Sequence, residues 1–195
     1  MAYQTLRQPG YYDHHPTVRL DRHFVIAGYF VQETRQIGYQ VAALTGLGVS
    51  DLDRKIEHHV GCSIQELLRE QGEERYRALE CRWLGRLLGE SPPGIITLGD
   101  GALIDAANRK QVLRNAELVA LDLDLPNCYW RVQQNQTDDS ADWHPLYPGP
   151  ILSWEQIRPF HELRRPGFAE AHHRIDIRGK ARAELVEQLM GLLGG

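Results

Sequence analysis

The chain lacks most of the features that assign a function at once. Its 195 residues hold three cysteines, Cys62, Cys81 and Cys128, odd in number and far apart. That spacing fits neither a zinc site nor a CxxC redox pair, and it predicts reduced thiols in the cytoplasm. Basic residues are in deficit: 22 Lys and Arg against 26 Asp and Glu give a net charge of −4. No basic footprint for nucleic acid follows from that balance. No apolar run approaches a membrane span, and residues 1–22 are polar, without a signal-peptide core. The expectation is a cytoplasmic protein with neither nucleic acid nor membrane as partner.

What is present is an ordinary globular composition, 42% hydrophobic and 25% charged, enough to build one core. Residues 1–22 contain Pro9, Gly10 and Pro16 and read as an arm. Residues 23–195 read as one domain. Three adjacent-histidine pairs, His14-His15, His58-His59 and His172-His173, read as solvated, because neighbours on a regular element point apart whereas metal ligands converge.

Residues 23–38 organise the domain. Phe24-Val25-Ile26-Ala27 is a short apolar run that reads as a buried parallel strand. Gly28 ends it, and 33–47 reads as a helix with Ile37, Val41 and Leu44 on one face. Strand, glycine turn and helix is the setting of a phosphate-binding loop, which requires G-x-x-x-x-G-K-[ST]. The eight positions here are Gly28-Tyr29-Phe30-Val31-Gln32-Glu33-Thr34-Arg35. Only the first glycine fits; Glu33 replaces the second, Thr34 the lysine and Arg35 the hydroxyl.

Further strands are predicted at about 49, 95–98, 118–121 and 174–177. Helices are predicted at 51–59, 63–71, 73–88, 105–113, 127–134, 153–163 and 181–193. Ser63 with Glu66 is a capping box, and Gly72 separates two helices. Residues 133–150, polar and rich in Pro and Gly, form the longest loop. Alternating strands and helices predict an α/β protein with a parallel sheet covered on both faces.

In this order and spacing the chain resembles the shikimate kinase family from residue 23 to residue 193. The strand–loop–helix is followed by Asp51-Leu52-Asp53, where the family has Asp-Thr-Asp. The family stretch S-I-x-E-x-F-x-x-x-G-E-x-x-F-R-x-x-E is met by Ser63-Ile64, Glu66, Gly72-Glu73, Tyr76-Arg77 and Glu80. Its Gly-Gly-Gly turn falls on Gly99-Asp100-Gly101, its lid Arg-Pro-Leu on His144-Pro145-Leu146, and its late Arg-x-Pro-Leu-Tyr on 164–168. The resemblance implies a three-layer P-loop kinase-like fold with five parallel strands in the order 2-3-1-4-5, and a lid within 133–150.

It also implies a pocket for a cyclic hydroxy-carboxylic acid. Asp53 would hold ring hydroxyls, Arg77 and Arg164 the carboxylate, and Gly99 and Gly101 would let the ring approach. Guanidinium forks suit a carboxylate. The plainer readings are a solvated helix residue for Arg77 and a surface ion pair for Arg164.

The nucleotide half departs from the family. Glu33 brings a negative charge, which costs on the order of 4 kcal/mol against a phosphate charge about 4 Å away at an effective dielectric of 20. His144 stands for the lid arginine, and Asp100 adds a carboxylate. Asp51, at the family's Mg²⁺ position, and Arg131, over adenine, remain, either functional or structural. Gly28, Glu33, Thr34, Arg35, Asp51, Asp100, Arg131 and His144 therefore outline a degenerate nucleotide site.

The expectation is a pseudoenzyme with no catalytic residues, no bound metal and no cofactor. It would sense a ligand, scaffold or regulate a protein partner. An active shikimate-type kinase with an atypical loop, using ATP and Mg²⁺, is the alternative. A third reading is non-kinase chemistry at a hard-cation site of Glu33, Asp51, Asp53 and Asp100, which fails if Arg35 pairs with these carboxylates.

Overall fold

The computed structural model describes residues 18–29, 33–99, 101–137 and 153–194. His14, His15, Asp100, His144, most of the arm and most of the predicted lid lie outside the described residues.

Five strands form one parallel sheet: β1 (His23–Gly28), β2 (Val49–Asp51), β3 (Ile95–Thr97), β4 (Ala116–Asp122) and β5 (His173–Asp176). Their order is β2-β3-β1-β4-β5, as the resemblance implies. β1 is central, with Val25 between Ile96 of β3 and Leu118 of β4. All six β1 residues are buried. Because side chains alternate between faces, both faces of the sheet are covered there, and the strand reads as a continuous apolar run for that reason.

The helices are α1 (Glu33–Thr45), α2 (Leu52–Val60), α3 (Ile64–Leu87), α4 (Ala106–Asn115), α5 (Leu125–Thr137), α6 (Trp154–Ala169) and α7 (Arg182–Leu193). α1 packs with α7, α2 with α3, and α5 with α6. Parallel strands bring Gly28, Asp51, Thr97 and Asp122 to one edge of the sheet, the crevice outside the carboxyl ends where open α/β sheets bind ligands.

His23 fastens the other end of β1. Its Nδ1 accepts the Gly94 N–H at 3.1 Å, and its Nε2 lies 3.0 Å from the Glu90 carbonyl oxygen.

The Ser63–Glu66 capping box forms as expected. Gly72 separates two helical stretches of α3 as expected, non-helical at φ +81° with a kink between them. Other boundaries differ. β4 begins at Ala116, before the apolar run, because it pairs with β1 from His23 onward. α6 continues to Ala169 through Pro159 and Pro166. Tertiary packing holds its last turn: Arg164, Gly167 and Phe168 are buried, and a Cβ on Gly167 would lie 2.7 Å from Leu103. The pair His172-His173 is not simply solvated. His172 Nδ1 accepts the Leu118 N–H at 3.0 Å, and His173 Nε2 meets Glu117 at 2.8 Å, so both tie β5 to β4.

Candidate functional site

One half of the crevice is built by α2, α3 and the turn after β3. Asp51 caps α2, its Oδ1 accepting the Arg54 N–H at 2.9 Å, which sets Asp53 in the first turn. On α3, Tyr76, Arg77 and Glu80 share one side, three and four residues apart. The Tyr76 hydroxyl donates to Asp53 Oδ1 at 2.9 Å. Arg77 Nη1 donates to both Glu80 oxygens at 3.1 and 2.9 Å, and its Nε donates to Glu73 Oε1 at 3.1 Å.

The turn after β3 lies directly on these groups. A Cβ on Gly99 would fall 3.0 Å from Asp53 Oδ2, and one on Gly101 would fall 2.5 Å from Arg77 Nη2. Only a residue without a side chain permits that approach. Asp53, Arg77, Gly99 and Gly101 are thus brought together as predicted. Arg77 is not a solvated helix residue: its side chain is 24% exposed and doubly paired.

Glu80 is 1% exposed. Burial pushes its carboxyl up to about 7; Arg77 opposes that rise and Asp53 adds to it. Burial likewise drives the Tyr76 phenol well above its ordinary range, with Asp53 and Glu80 adding to the shift, so its hydroxyl stays a donor at any physiological pH.

The other half surrounds the connection from β1 to α1. Gly28 closes β1 beside Leu121. Tyr29 follows, 1% exposed, its ring stacked between His161 at 4.6 Å and Phe168 at 4.0 Å, centroid to centroid. Burial, then Asp122, raises its phenol strongly. Glu33 opens α1 and meets Arg131 Nη1 of α5 at 3.1 Å and Arg182 Nη2 of α7 at 3.8 Å. Thr34 is 4% exposed, and its hydroxyl makes no hydrogen bond among the described residues.

Arg35 Nε lies 3.1 Å from Asp51 Oδ2, the oxygen that also accepts the Thr97 hydroxyl at 2.6 Å. Asp51 Oδ1 takes the Arg54 N–H. Arg35 thus pairs with Asp51, one of the four carboxylates of the hard-cation reading. Arg164 is 2% exposed, not a surface ion pair. Its Nη1 donates to the Phe160 carbonyl at 2.9 Å, and its charge acts on the Tyr29 phenol.

The family profile described as Shikimate kinase matches residues 35–193. This chain belongs to the shikimate kinase family. Among curated members, the shikimate kinase of Persephonella marina is 27% identical over 170 residues, covering 87% of this chain and 98% of that protein. The shikimate kinase of Salinibacter ruber is 31% identical over 157 residues, covering 77% and 74%. Solved structures agree on the fold. Shikimate kinase from Acinetobacter baumannii in complex with shikimate superposes with a TM-score of 0.72 at 21% identity, over 88% of this chain and 92% of that one. The Bacteroides thetaiotaomicron shikimate kinase gives 0.74 at 21%, over 89% and 99%. No helix among the described residues of this family member is long and apolar enough to cross a membrane.

Sequence reasoning missed Tyr29, Arg182 and the Tyr76 hydroxyl, and took Glu73 and Glu80 only as matching letters. The signal for the last three was available: residues spaced by three and four around Arg77 on one helix face meet. Nothing local pointed to Tyr29 or Arg182, which reach the crevice through tertiary contacts.

Proposed function

We propose that this shikimate kinase-family protein binds a cyclic hydroxy-carboxylic acid in the half built from Asp53, Arg77, Gly99 and Gly101, and acts as a ligand-sensing or regulatory member rather than an ATP-dependent kinase. The resemblance names Arg164 as a second donor to the carboxylate; in this structure it is buried against Phe160 and Tyr29. The observation that carries the acid-binding part is the fit of Gly99 and Gly101 against Asp53 and Arg77, where an added Cβ would lie 3.0 Å from Asp53 Oδ2 and 2.5 Å from Arg77 Nη2. A backbone turn laid on a carboxylate and a guanidinium leaves both free of bulk on the side where a ring with hydroxyl and carboxylate groups docks.

The absence of phosphoryl transfer is supported by the donor set. Mg²⁺ wants several oxygen ligands at about 2.1 Å. Asp51, the carboxylate at that position, is spent on Arg35, Thr97 and the α2 cap, and Arg35 stands where the family hydroxyl would be. The residues do not suit the ion. At the P-loop lysine position Thr34 offers no charge, and Glu33 presents one of the wrong sign.

The second reading is an active shikimate-type kinase, and family membership among proteins named as kinases favours it. In that case Arg35, Arg131 and Arg182 would release Asp51 and Glu33 and turn to phosphate. Two titrations separate the readings, one with shikimate and one with Mg·ATP, followed by a coupled turnover assay. The proposal expects shikimate to bind, and Mg·ATP to show neither micromolar binding nor turnover. Turnover at ordinary kinase rates overturns the pseudoenzyme part.

A further inference from the structure

Glu80 is a fully buried carboxyl inside a cluster that is already anionic. Glu73 and Glu80 both pair with one guanidinium, Arg77, and a third carboxylate, Asp53, acts on Glu80 from α2. Arg35 also acts on Asp53 but is paired with Asp51. The groups that act on Glu80 are Arg77 and Tyr76 from its own helix and Asp53 from α2. A ligand carboxylate docking on Arg77 adds a fourth negative group to this cluster.

The three carboxylates differ in how they can respond. Glu73 is exposed, so water solvates its charge even while it pairs with Arg77. Asp53 is held by the Tyr76 hydroxyl. Glu80 is 1% exposed and reaches no solvent, so the one relief open to it is to lose its charge.

We propose that the pocket takes up its acid ligand together with one proton, carried by Glu80, so that occupancy reports pH as well as ligand concentration. The inference rests on the acid-binding reading above and adds its regulation. The proton comes from solvent and converts the Glu80 carboxylate to a carboxylic acid; no other bond is made or broken. Protonated Glu80 still accepts from Arg77 through its carbonyl oxygen but competes less for the guanidinium, which then turns its donors to the ligand carboxylate. Burial of Glu80, with Asp53 beside it, already biases the group toward the neutral acid.

The sign follows from linkage. Above the titration of Glu80 each ligand bound brings up to one proton, so affinity falls by as much as about tenfold per pH unit. Below it Glu80 is already neutral, and affinity is flat.

The test is calorimetric titration of the full chain with shikimate at about pH 6 and pH 8, in buffers of different ionisation enthalpy. Proton uptake should be near zero at the lower pH and approach one at the higher, with about a tenfold or larger loss of affinity. Glu80→Gln should bind with a flat pH profile and no buffer-dependent heat. Should that variant not fold, the buffer dependence of the unmodified chain decides. Shikimate binding equally at both pH values, with no buffer-dependent heat, overturns the proton coupling and leaves acid binding standing. No binding at any pH overturns the acid-binding reading, and the coupling with it.

Discussion

The two halves of the crevice use the same kinds of residue to opposite ends. In the acid half, charged side chains are packed against two glycines, Gly99 and Gly101, of the turn after β3. Arg77, Asp53 and Glu80 are ordered by their neighbours, and those two glycines bring no side chain against them. In the phosphate half, each charge reaches across the crevice to another: Glu33 to Arg131 and Arg182, Arg35 to Asp51. Arg77 is itself paired with Glu80 and Glu73, so both halves hold their charges in ion pairs, and the acid half differs in the glycines at 99 and 101 that lie on its charges. Charges neutralised by one another must first be separated. The difference lies in the two glycines that lie on the acid-half charges, against the side-chain ion pairs that fill the phosphate half.

The comparison breaks most visibly at Arg77. Arg77→Met leaves Glu80 buried without its cation, and loss of one partner of a buried pair destabilises by about 3–5 kcal/mol. Urea unfolding at about pH 8 should read that loss. It should shrink toward pH 5, where Glu80 is protonated in the folded protein. A raised carboxyl contributes stability that is fully present below its unfolded value and lost as pH rises through the folded value near 7. A variant as stable as the parent at pH 8 would refute a charged, buried Glu80.

Two glycine substitutions sharpen the contrast between scaffold and site. Gly94→Ala drives a Cβ to 2.5 Å from the Gly48 carbonyl, a backbone atom, and should lower stability by about 1–3 kcal/mol without changing acid affinity in the folded protein. Gly101→Ala meets only the end of the Arg77 side chain, which can move. Its stability should change by about 0.5 kcal/mol or less, while shikimate affinity falls about tenfold or more, equivalent to about 1.4 kcal/mol. Equal effects of Gly101→Ala on stability and binding would count against a pocket at this turn.

Restoring the phosphate motif tests the other half. Glu33→Gly, Thr34→Lys and Arg35→Ser together should raise phosphate affinity beyond the sum of the single changes, by a coupling of about 0.5–3 kcal/mol. A lysine needs the backbone nest, and the nest needs the carboxylate removed. A triple variant that binds phosphate no better than the parent would show the loop to be a plain strand-to-helix connection. The smallest effect is expected for Glu33→Ala alone. Its ion pairs are partly exposed, and such pairs contribute about 0–1 kcal/mol, so thermal unfolding should barely move.

The sheet order and the acid half were legible through the resemblance, which rests on short motifs; local pattern alone reached only the buried strands. An apolar run predicts a buried strand, and Asp53, Arg77, Gly99 and Gly101 sit in short motifs of recognisable residue types. The boundaries of α6 were not legible. Pro166 argues for a stop, and only the burial of Arg164 and Phe168 keeps the turn helical. The ion pairs of Glu33 were hidden for a different reason. They join residues nearly a hundred and nearly a hundred and fifty positions apart, and no spacing rule reaches that far. The strand-tying contacts of His172 and His173 were not legible, because they join residues more than fifty positions apart.

The two fastenings of β1 settle a question of alignment. A strand buried on both faces has no polar side to keep out of the core, so shifting it along its neighbours by two residues would still leave apolar groups inside. Pattern alone specifies such a strand weakly. At one end His23 holds the backbone of Gly94 and Glu90. At the other, Tyr29 is gripped between His161 and Phe168, and His161 reaches the Leu123 carbonyl just past β4. The span from 23 to 29 is therefore measured by two side chains, as a ruler is held at both ends. A slip in either direction would pull one of them from its socket. The position of every residue at the sheet's carboxyl edge, and with it the spacing between the two halves of the crevice, is thereby tied to an imidazole and a phenol that take no part in either half's chemistry.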